Sequence, residues 1–318
     1  MPSDHTDDLR LAHVLADDAD SLTMDRFKAQ DLHVVNKPDL TPVTDADQSV
    51  EQSMRRTLSR ARPRDAFYGE EEGSTGWGPR RWVVDPIDGT KNFVRGVPVW
   101  ATLIALMIED ETVASVVSAP SLGRRWWASK GGGTFTGKSL FSAQRCYVSD
   151  VGTLENASLS YSSLHGWESR GRLDDFIALT RRCWRSRAYG DFWSYMLVAE
   201  GAVDVAVEPE LELYDMAALT VIVEEAGGRF SSLDGRPGPH GGSALATNGR
   251  LHEQTLAFVG MSPEDRREPQ QHGSVHDLGA HRLRMSSPSQ GAEDGSDDSE
   301  LPDSADGLDD PNGSGRDD

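Results

Sequence analysis

The chain has few cysteines, no long apolar segment and no leader pattern, and each shortage excludes a class of protein. Its two cysteines, Cys146 and Cys183, are too few for a disulfide framework, and its histidines lack zinc-ligand spacing. The longest apolar run, from Val97 to Ile108, is shorter than the ~18 residues that a membrane helix needs. The N-terminus has neither a basic nor an apolar signal region. We therefore expect a protein of the reducing cytoplasm, without a membrane partner.

Positive charge is also scarce, since 32 Lys+Arg face 52 Asp+Glu and the 318 residues carry a formal net charge of −20. This acidity argues against nucleic acid as a partner, because the acidic chain and the nucleic acid would repel each other. Half of the charge lies in residues 262–318, which contain 5 Arg, no Lys, 15 Asp+Glu and no aromatic residue. We predict that 262–318 is a disordered acidic tail, that 1–8 is flexible, and that 9–261 forms one folded domain.

Apolar residues in the predicted domain recur at helical spacing in some segments and at strand spacing in others. The helical pattern predicts helices at 9–30, from the Thr44 cap to 61, at 174–183, 192–199, 216–226 and 250–259. The extended pattern predicts strands at 66–69, 81–85, 100–108, 113–119, 124–128, 133–136, 203–207, 229–232 and 244–247. Because strands and helices come in blocks, a layered α+β or mixed α/β fold is favoured over a barrel.

Four short acidic segments lie where predicted strands end or helices begin. Carboxylates and backbone carbonyls are the ligands that Mg²⁺ prefers, and two such ions about 4 Å apart can clamp a phosphoryl group during in-line displacement. Taken singly, Asp45 and Asp215 are better explained as helix-cap or turn residues than as metal ligands. Chance occurrence is a weaker explanation for the hexapeptide beginning at Asp85, because a given six-residue string arises by chance at only on the order of one in ten million positions. The segments are Thr44-Asp45-Ala46-Asp47, Gly69-Glu70-Glu71-Glu72-Gly73, Asp85-Pro86-Ile87-Asp88-Gly89-Thr90 and Tyr214-Asp215.

These motifs, taken in order, resemble the inositol monophosphatase family. The likeness extends over almost all of 9–261 and includes Asp215-x-Ala217-Ala218 and Glu225-Ala226-Gly227-Gly228, with Tyr214 where the family usually has tryptophan. The resemblance implies an αβαβα layered sandwich of the fructose-bisphosphatase type, a phosphate monoester as substrate, two or three Mg²⁺ ions and a homodimer. Trp126 and Trp127 would point to opposite faces of a strand, so we expect one in the core and the other at a subunit contact.

The resemblance also implies a role for each matching residue. Glu70, Asp85 and the Ile87 carbonyl would hold one ion, while Asp85, Asp88 and Asp215 would hold a second. Asp47 fits an additional acidic ligand position. The backbone N–H groups of Gly89 and Thr90 would bind phosphate at a helix start, and Glu70 and Thr90 would orient the attacking water.

The family motifs do not specify the alcohol, but the segment from Arg187 to Trp193 indicates one. Inositol-type members usually carry Gly-Thr-Ala where this chain has Gly190-Asp191-Phe192, and an acid suits a cationic leaving group. The segment resembles the histidinol-phosphatase branch of the family, so we expect hydrolysis of L-histidinol phosphate in histidine biosynthesis, with inositol 1-phosphate as the alternative. Asp191 and Glu208 would face the ammonium and the imidazole, and Arg187 and Asp215 would also contact substrate. Asp191 as a helix cap and Arg187 as a surface charge remain open.

A rival pattern occurs at Gly132–Ser139, which fits the nucleotide-binding loop G-x-x-x-x-G-K-[ST]. That loop needs a buried strand before it and a helix after it. Neither flank has this pattern, so a glycine-rich turn between paired strands is the favoured interpretation. A non-catalytic member of the family is the remaining alternative.

Overall fold

The computed structural model describes residues 5–38 and 41–260, and the predicted tail at 262–318 lies outside these residues. The helices over this part of the chain are α1 (Thr6–Arg26), α2 (Asp45–Ala61), α3 (Thr90–Val94), α4 (His165–Ser169), α5 (Leu173–Arg182), α6 (Asp191–Ala199), α7 (Leu213–Glu225) and α8 (His252–Val259). No helix among the described residues is long and apolar enough to cross a membrane.

The strands form a two-stranded sheet (β1-β2), an eight-stranded sheet and a five-stranded sheet. Strand order is β10-β9-β8-β7-β6-β5-β3-β4 in the eight-stranded sheet and β12-β11-β13-β15-β14 in the five-stranded sheet. The strands are β1 (Val34–Asn36), β2 (Pro42–Thr44), β3 (Ala66–Gly69), β4 (Gly73–Thr75), β5 (Arg80–Asp88), β6 (Ala101–Ile108), β7 (Glu111–Ala119), β8 (Arg124–Ser129), β9 (Gly133–Gly137), β10 (Gln144–Arg145), β11 (Ser158–Ser160), β12 (Arg185–Arg187), β13 (Val205–Glu208), β14 (Arg229–Ser231) and β15 (Ala244–Thr247).

Side-chain alternation along the strands sorts the elements into five layers. In β5, Trp82 and Val84 join the cluster formed with α1 and α2, whereas Val83 joins the cluster formed with α6 and α7 on the opposite face. The five-stranded sheet contributes one face to the α6–α7 cluster and packs its other face against α4, α5 and α8. The order helix, sheet, helix, sheet, helix confirms the predicted αβαβα sandwich.

The two adjacent tryptophans both lie in the core. Trp126 faces the α6–α7 layer and Trp127 faces α1, and they are 0% and 2% exposed. The expectation that one of them lies at a subunit contact is therefore wrong. Both faces of this sheet are covered by helices, so alternation buries each ring.

Helix α1 begins at Thr6 and ends at Arg26, earlier at both ends than the predicted 9–30. Asp8 explains the early start, because its buried carboxylate accepts hydrogen bonds from Arg80 at 2.7 Å and from Arg62 at 3.4 Å. The segment predicted to be flexible, 1–8, thus overlaps the first turn of the helix. Isolated acids in a sequence do not reveal such a distant partner.

The glycine-rich segment that fits the nucleotide-binding pattern is a turn leading into β9. The backbone N–H groups of Gly131 and Gly133 donate to the carboxylate of Glu225, at 2.7 and 2.8 Å. A short 3₁₀ helix, Leu140–Ser142, follows β9 where a nucleotide-binding loop would begin an α-helix. The turn therefore binds a side chain of α7, and the favoured interpretation from the sequence is confirmed.

A buried histidine makes the stability of this fold depend on pH. His252 lies with Nε2 2.8 Å from the Ser231 hydroxyl and Nδ1 3.1 Å from the Thr247 hydroxyl. Burial, reinforced by Arg229, lowers the pKa of His252 to about 4. The unfolded chain binds this proton near pH 6.5 and the folded chain does not, so stability is lost as the pH falls from about 6.5 to about 4.

The free energy of unfolding should fall between pH 7 and pH 5 in both proteins. We expect this decrease to be about 1–2 kcal/mol smaller in His252→Gln than in the wild type. Denaturant titration at the two pH values measures this difference. His33→Gln, at an exposed position, is the matched control and should keep the wild-type difference. An unchanged pH dependence in His252→Gln would show that this histidine does not titrate differently on folding.

Candidate active site

A cavity of about 1300 Å³ opens where three of the four predicted acidic segments meet, and the segment from Thr44 to Asp47 does not line it. Strands β3 and β5 are parallel neighbours, with Gly69 opposite Val84, so the segments that follow them emerge at the same edge of the sheet. The register of β5 shifts between Asp85 and Asp88, where the chain bulges around the proline. The first turns of α3, α6 and α7 complete the wall. Its acidic lining residues are Glu70, Glu71, Asp85, Asp88, Asp191, Glu210, Glu212 and Asp215.

Asp85, Asp88 and Asp215 form the closest acidic cluster in the cavity. One carboxylate oxygen from each lies within 4.8 Å of the others. Each side chain is also held by a backbone N–H group, from Ile87 to Asp85 at 2.9 Å, from Phe192 to Asp88 at 2.7 Å and from Glu212 to Asp215 at 2.7 Å. The last two amides belong to the N-terminal ends of α6 and α7, where negative charge is favoured.

Burial and mutual repulsion disfavour the charged form of all three acids. Burial raises the pKa of Asp85 well above its ordinary value, and Glu70 and Asp88 raise it further. Burial likewise raises the pKa of Asp88, with Asp191 and Asp215 adding to the effect. Burial raises the pKa of Asp215 to about 7 despite the hydrogen bond from Glu212. Clustered carboxylate oxygens near the Ile87 carbonyl therefore fit a divalent cation, which would relieve this repulsion.

Glu70 lies in the same cavity, but it is paired with a lysine that the sequence did not identify as a site residue. Lys37 Nζ is 2.7 Å from Glu70 Oε1 and 2.9 Å from Glu71 Oε1. Burial by itself would lower the pKa of Lys37, but the bonds and charges of the two glutamates outweigh burial and raise it. Glu70 is therefore held beside the three aspartates by a cation of the chain itself.

The turn after Asp88 forms a compact backbone cradle. Gly89 adopts the left-handed region at φ 86°, and a Cβ there would lie 3.1 Å from the Val99 carbonyl and 3.2 Å from Asp191 Oδ2. Helix α3 begins at Thr90, as predicted, and its first backbone bonds run from the Asn92 and Phe93 amides to the Gly89 carbonyl at 2.8 and 3.0 Å, so the Thr90 amide precedes these bonds. The Thr90 hydroxyl donates to the Ile87 carbonyl at 2.9 Å. This bond links the predicted water-orienting hydroxyl to a predicted ion ligand.

Asp47 is fully buried beside the acidic loop and does not line the cavity. Its Oδ2 accepts from the Thr44 backbone N–H at 2.8 Å and from the Thr44 hydroxyl at 2.5 Å, in a capping box at the start of α2. Its Oδ1 has no hydrogen-bond partner among the described residues. Burial raises the pKa of Asp47 to about 7. Its role as an additional ion ligand stays a prediction.

Asp191 is the predicted selectivity residue that lines the cavity. It is the first residue of α6, with φ 46°, and its backbone N–H donates to the Ser162 hydroxyl at 2.8 Å. Its carboxylate does not cap α6 and instead accepts from Asn92 Nδ2 at 3.1 Å, so the helix-cap interpretation is wrong. Burial raises the pKa of Asp191 to about 6, with Lys91 opposing the shift.

The other two predicted substrate contacts lie outside the cavity wall. Glu208 is buried in β13, where its Oε1 accepts from the Tyr195 hydroxyl at 3.0 Å, and burial raises its pKa to about 8. Arg187 is exposed at the end of β12 and donates to the Ser186 carbonyl at 2.7 Å. Neither residue lines the cavity in this chain, so direct contact with substrate stays a prediction for both.

The layered fold places three aspartates that could hold a metal ion at one edge of a sheet in the αβαβα sandwich. The family model described as the inositol monophosphatase family matches residues 5–262, and the chain belongs to this family. The family is metal-dependent.

Three relatives illustrate the similarity. A histidinol-phosphatase of Streptomyces coelicolor is 65% identical over 263 residues, covering 81% of this chain and 98% of that protein. A histidinol-phosphatase of Mycobacterium tuberculosis is 59% identical over 251 residues, covering 79% and 96%. The solved structure of an inositol monophosphatase from Zymomonas mobilis is 34% identical, covers 81% of this chain and 100% of its own, and has a TM-score of 0.72.

The crowding of acids leads to a stability prediction. Without divalent cations, Asp215→Asn should raise the free energy of unfolding by on the order of 1 kcal/mol, because it removes one like charge and an asparagine oxygen can still accept from Glu212. Millimolar Mg²⁺ should raise the melting temperature of the wild type much more than that of the variant. Thermal scans with and without Mg²⁺ measure both effects.

The matched control is Asp204→Asn, which neutralises a buried acid that accepts from Ser149 and from the Ser158 amide. It should lower stability with and without Mg²⁺. Equal stabilisation of the wild type and Asp215→Asn by Mg²⁺ would contradict the cation site.

Proposed function

We propose that the protein is a Mg²⁺-dependent phosphomonoesterase that hydrolyses L-histidinol phosphate to L-histidinol and inorganic phosphate, in histidine biosynthesis. Two relatives of 65% and 59% identity bear the name histidinol-phosphatase. The observation that carries the substrate is Asp191, an acid in the cavity wall beside the phosphate cradle. We also propose that the substrate is a small phosphate monoester, that the protein forms a homodimer and that it acts in the cytoplasm.

Oxygen ligands for the cations come from the cavity itself. Glu70, Asp85 and the Ile87 carbonyl would hold one Mg²⁺, and Asp85, Asp88 and Asp215 would hold a second. Asp47 would contribute where a third ion binds. When bound, these ions supply positive charge that stabilises the developing charge on the phosphoryl oxygens and lowers the pKa of bound water.

The chain's own groups position the reactants. The amides of Gly89 and Thr90, at the start of α3, donate to the phosphate oxygens. The hydroxyl of Thr90, which donates to the Ile87 carbonyl, accepts a hydrogen bond from the attacking water, and Glu70 accepts the proton that this water loses. The water oxygen forms a bond to phosphorus as the bond between phosphorus and the ester oxygen breaks. The departing alkoxide takes up a proton from solvent water to give the free alcohol, and Glu70 returns its proton to solvent.

Selectivity for a cationic alcohol rests on Asp191. Its carboxylate is held by Asn92, while Gly89 at φ 86° leaves room for it close to the phosphate cradle. An ammonium group on the leaving group would form a charge-assisted hydrogen bond with this carboxylate, which is worth ~1.5–3 kcal/mol. Inositol 1-phosphate offers hydroxyl groups there and would gain less.

Loss of a cluster carboxylate should abolish turnover. In Asp88→Asn the oxygen that accepts from the Phe192 amide can be kept, but the charge that holds a cation is lost. We expect kcat to fall by at least about 10³-fold with an unchanged circular dichroism spectrum. Lys138→Ala, in the segment that resembles a nucleotide-binding loop, is the control and should keep wild-type phosphate release. Near-normal turnover in Asp88→Asn would contradict the metal assignment.

Substrate choice should respond to Asp191. Asp191→Asn should lower kcat/KM on histidinol phosphate by about 10- to 100-fold and change kcat/KM on inositol 1-phosphate by much less. Phosphate release measured on both esters tests this difference. A wild-type preference for inositol 1-phosphate would reject the role of Asp191 and favour an inositol-type phosphatase. No release from a panel of monoesters with Mg²⁺ would indicate a non-catalytic family member.

A further inference from the structure

A buried glutamate of α2 binds the backbone of the loop that carries Glu70. Glu51 is 0% exposed, and its carboxylate accepts from the backbone N–H of Glu71 at 2.8 Å and of Glu72 at 3.0 Å. These amides belong to the two peptide bonds that directly follow Glu70. The loop between β3 and β4 is therefore fixed by a side chain from a helix nearly 20 residues earlier in the chain.

Arg55 completes this support from the next turn of α2. Its guanidinium donates to Glu51 Oε1 at 2.5 and 2.9 Å, which compensates the buried charge, and it also donates to the Gly73 carbonyl at 2.7 Å. The guanidinium lies over the Phe67 ring, 4.2 Å from its centroid. Both ends of the loop are thus bonded to one ion pair.

The absence of a side chain at Gly69 makes the contact possible. A Cβ at this position would lie 2.3 Å from the Glu51 carboxylate carbon and 2.4 and 2.5 Å from its oxygens. Such distances require the carboxylate or the loop to shift. Glycine is therefore needed here for close approach of Glu51 to the backbone.

We propose that Glu51, together with Arg55, is a positioning residue that fixes the direction of the Glu70 carboxylate into the cation site. Glu51 is directed at the backbone beneath the cavity and does not line it. The inference rests on the proposed role of Glu70 as a cation ligand. It predicts that weakening the Glu51 contacts lowers cation affinity and turnover while the αβαβα fold remains.

Glu51→Gln is the first test, because the amide keeps the shape but cannot accept from both loop amides and Arg55 at once. We expect faster amide hydrogen exchange in the peptide that spans 69–75, about tenfold weaker Mg²⁺ binding by calorimetry and a lower kcat. Gly69→Ala perturbs the same contact from the loop side and should produce the same three changes. If Glu51→Gln does not fold, Gly69→Ala alone tests the positioning role.

The matched control is Asp65→Asn at the opposite end of β3. Asp65 is also an acid whose carboxylate is largely covered and bonded to an arginine, accepting from Arg80 at 3.2 Å and from the Trp82 indole at 3.0 Å. A comparable loss of melting temperature is expected, but with wild-type exchange at 69–75 and wild-type Mg²⁺ affinity. This control separates a positioning role from general stability.

The outcomes are distinguishable. The positioning role alone is overturned if the wild type binds Mg²⁺ and releases phosphate but Glu51→Gln and Gly69→Ala leave hydrogen exchange and Mg²⁺ affinity unchanged. It is also overturned if Asp65→Asn changes hydrogen exchange at 69–75 and Mg²⁺ affinity as much as Glu51→Gln and Gly69→Ala do, because general stability would then explain the effect. A wild type that binds no Mg²⁺ contradicts the proposed function, and the positioning role with it.

Discussion

Repulsion between crowded carboxylates is the constraint on which the site depends. The fold holds Asp85, Asp88 and Asp215 with oxygens within 4.8 Å of one another, and burial and neighbouring acids raise the pKa of each. Such an arrangement is unfavourable unless backbone dipoles and cations offset the charge. Each acid is bonded to a backbone amide, and two of these amides lie at helix N-termini. The remaining charge is what makes the cavity suited to divalent cations.

The layers of the sandwich place these groups together. Parallel pairing of β3 with β5 brings the Glu70 loop and the Asp85 bulge to one sheet edge. Helix α7, with Asp215 in its first turn, lies against the face of that sheet opposite α1 and α2. The amide of Phe192, at the start of α6, reaches Asp88 from the same layer. The proposed cation site and the proposed selectivity residue therefore lie at adjacent helix starts, so one edge of the sheet could combine metal binding with recognition of the alcohol.

Local patterns in the sequence predicted most of this, and distant contacts were missed. The hexapeptide from Asp85 to Thr90 contains its own strand end and helix start, so its local structure could be predicted from adjacent residues. Strand alternation placed Trp126 and Trp127 on opposite faces but could not show that helices cover both. Lys37 on Glu70, Glu51 under the loop and Asn92 on Asp191 each join residues 20 to 99 positions apart, and no spacing rule reports them. The sequence also left a helix-cap role open for Asp191, whose backbone is left-handed and whose carboxylate does not cap α6.

Proton release on cation binding tests the central claim most directly. If the carboxylates are crowded as described, some bind protons near neutral pH, and a divalent cation must displace those protons. Calorimetric titration of the metal-free protein with Mg²⁺, in buffers of different ionisation enthalpy, counts the protons released. The account predicts net release that grows as the pH falls from about 8 to about 6. Mg²⁺ binding without proton release across this range would contradict it.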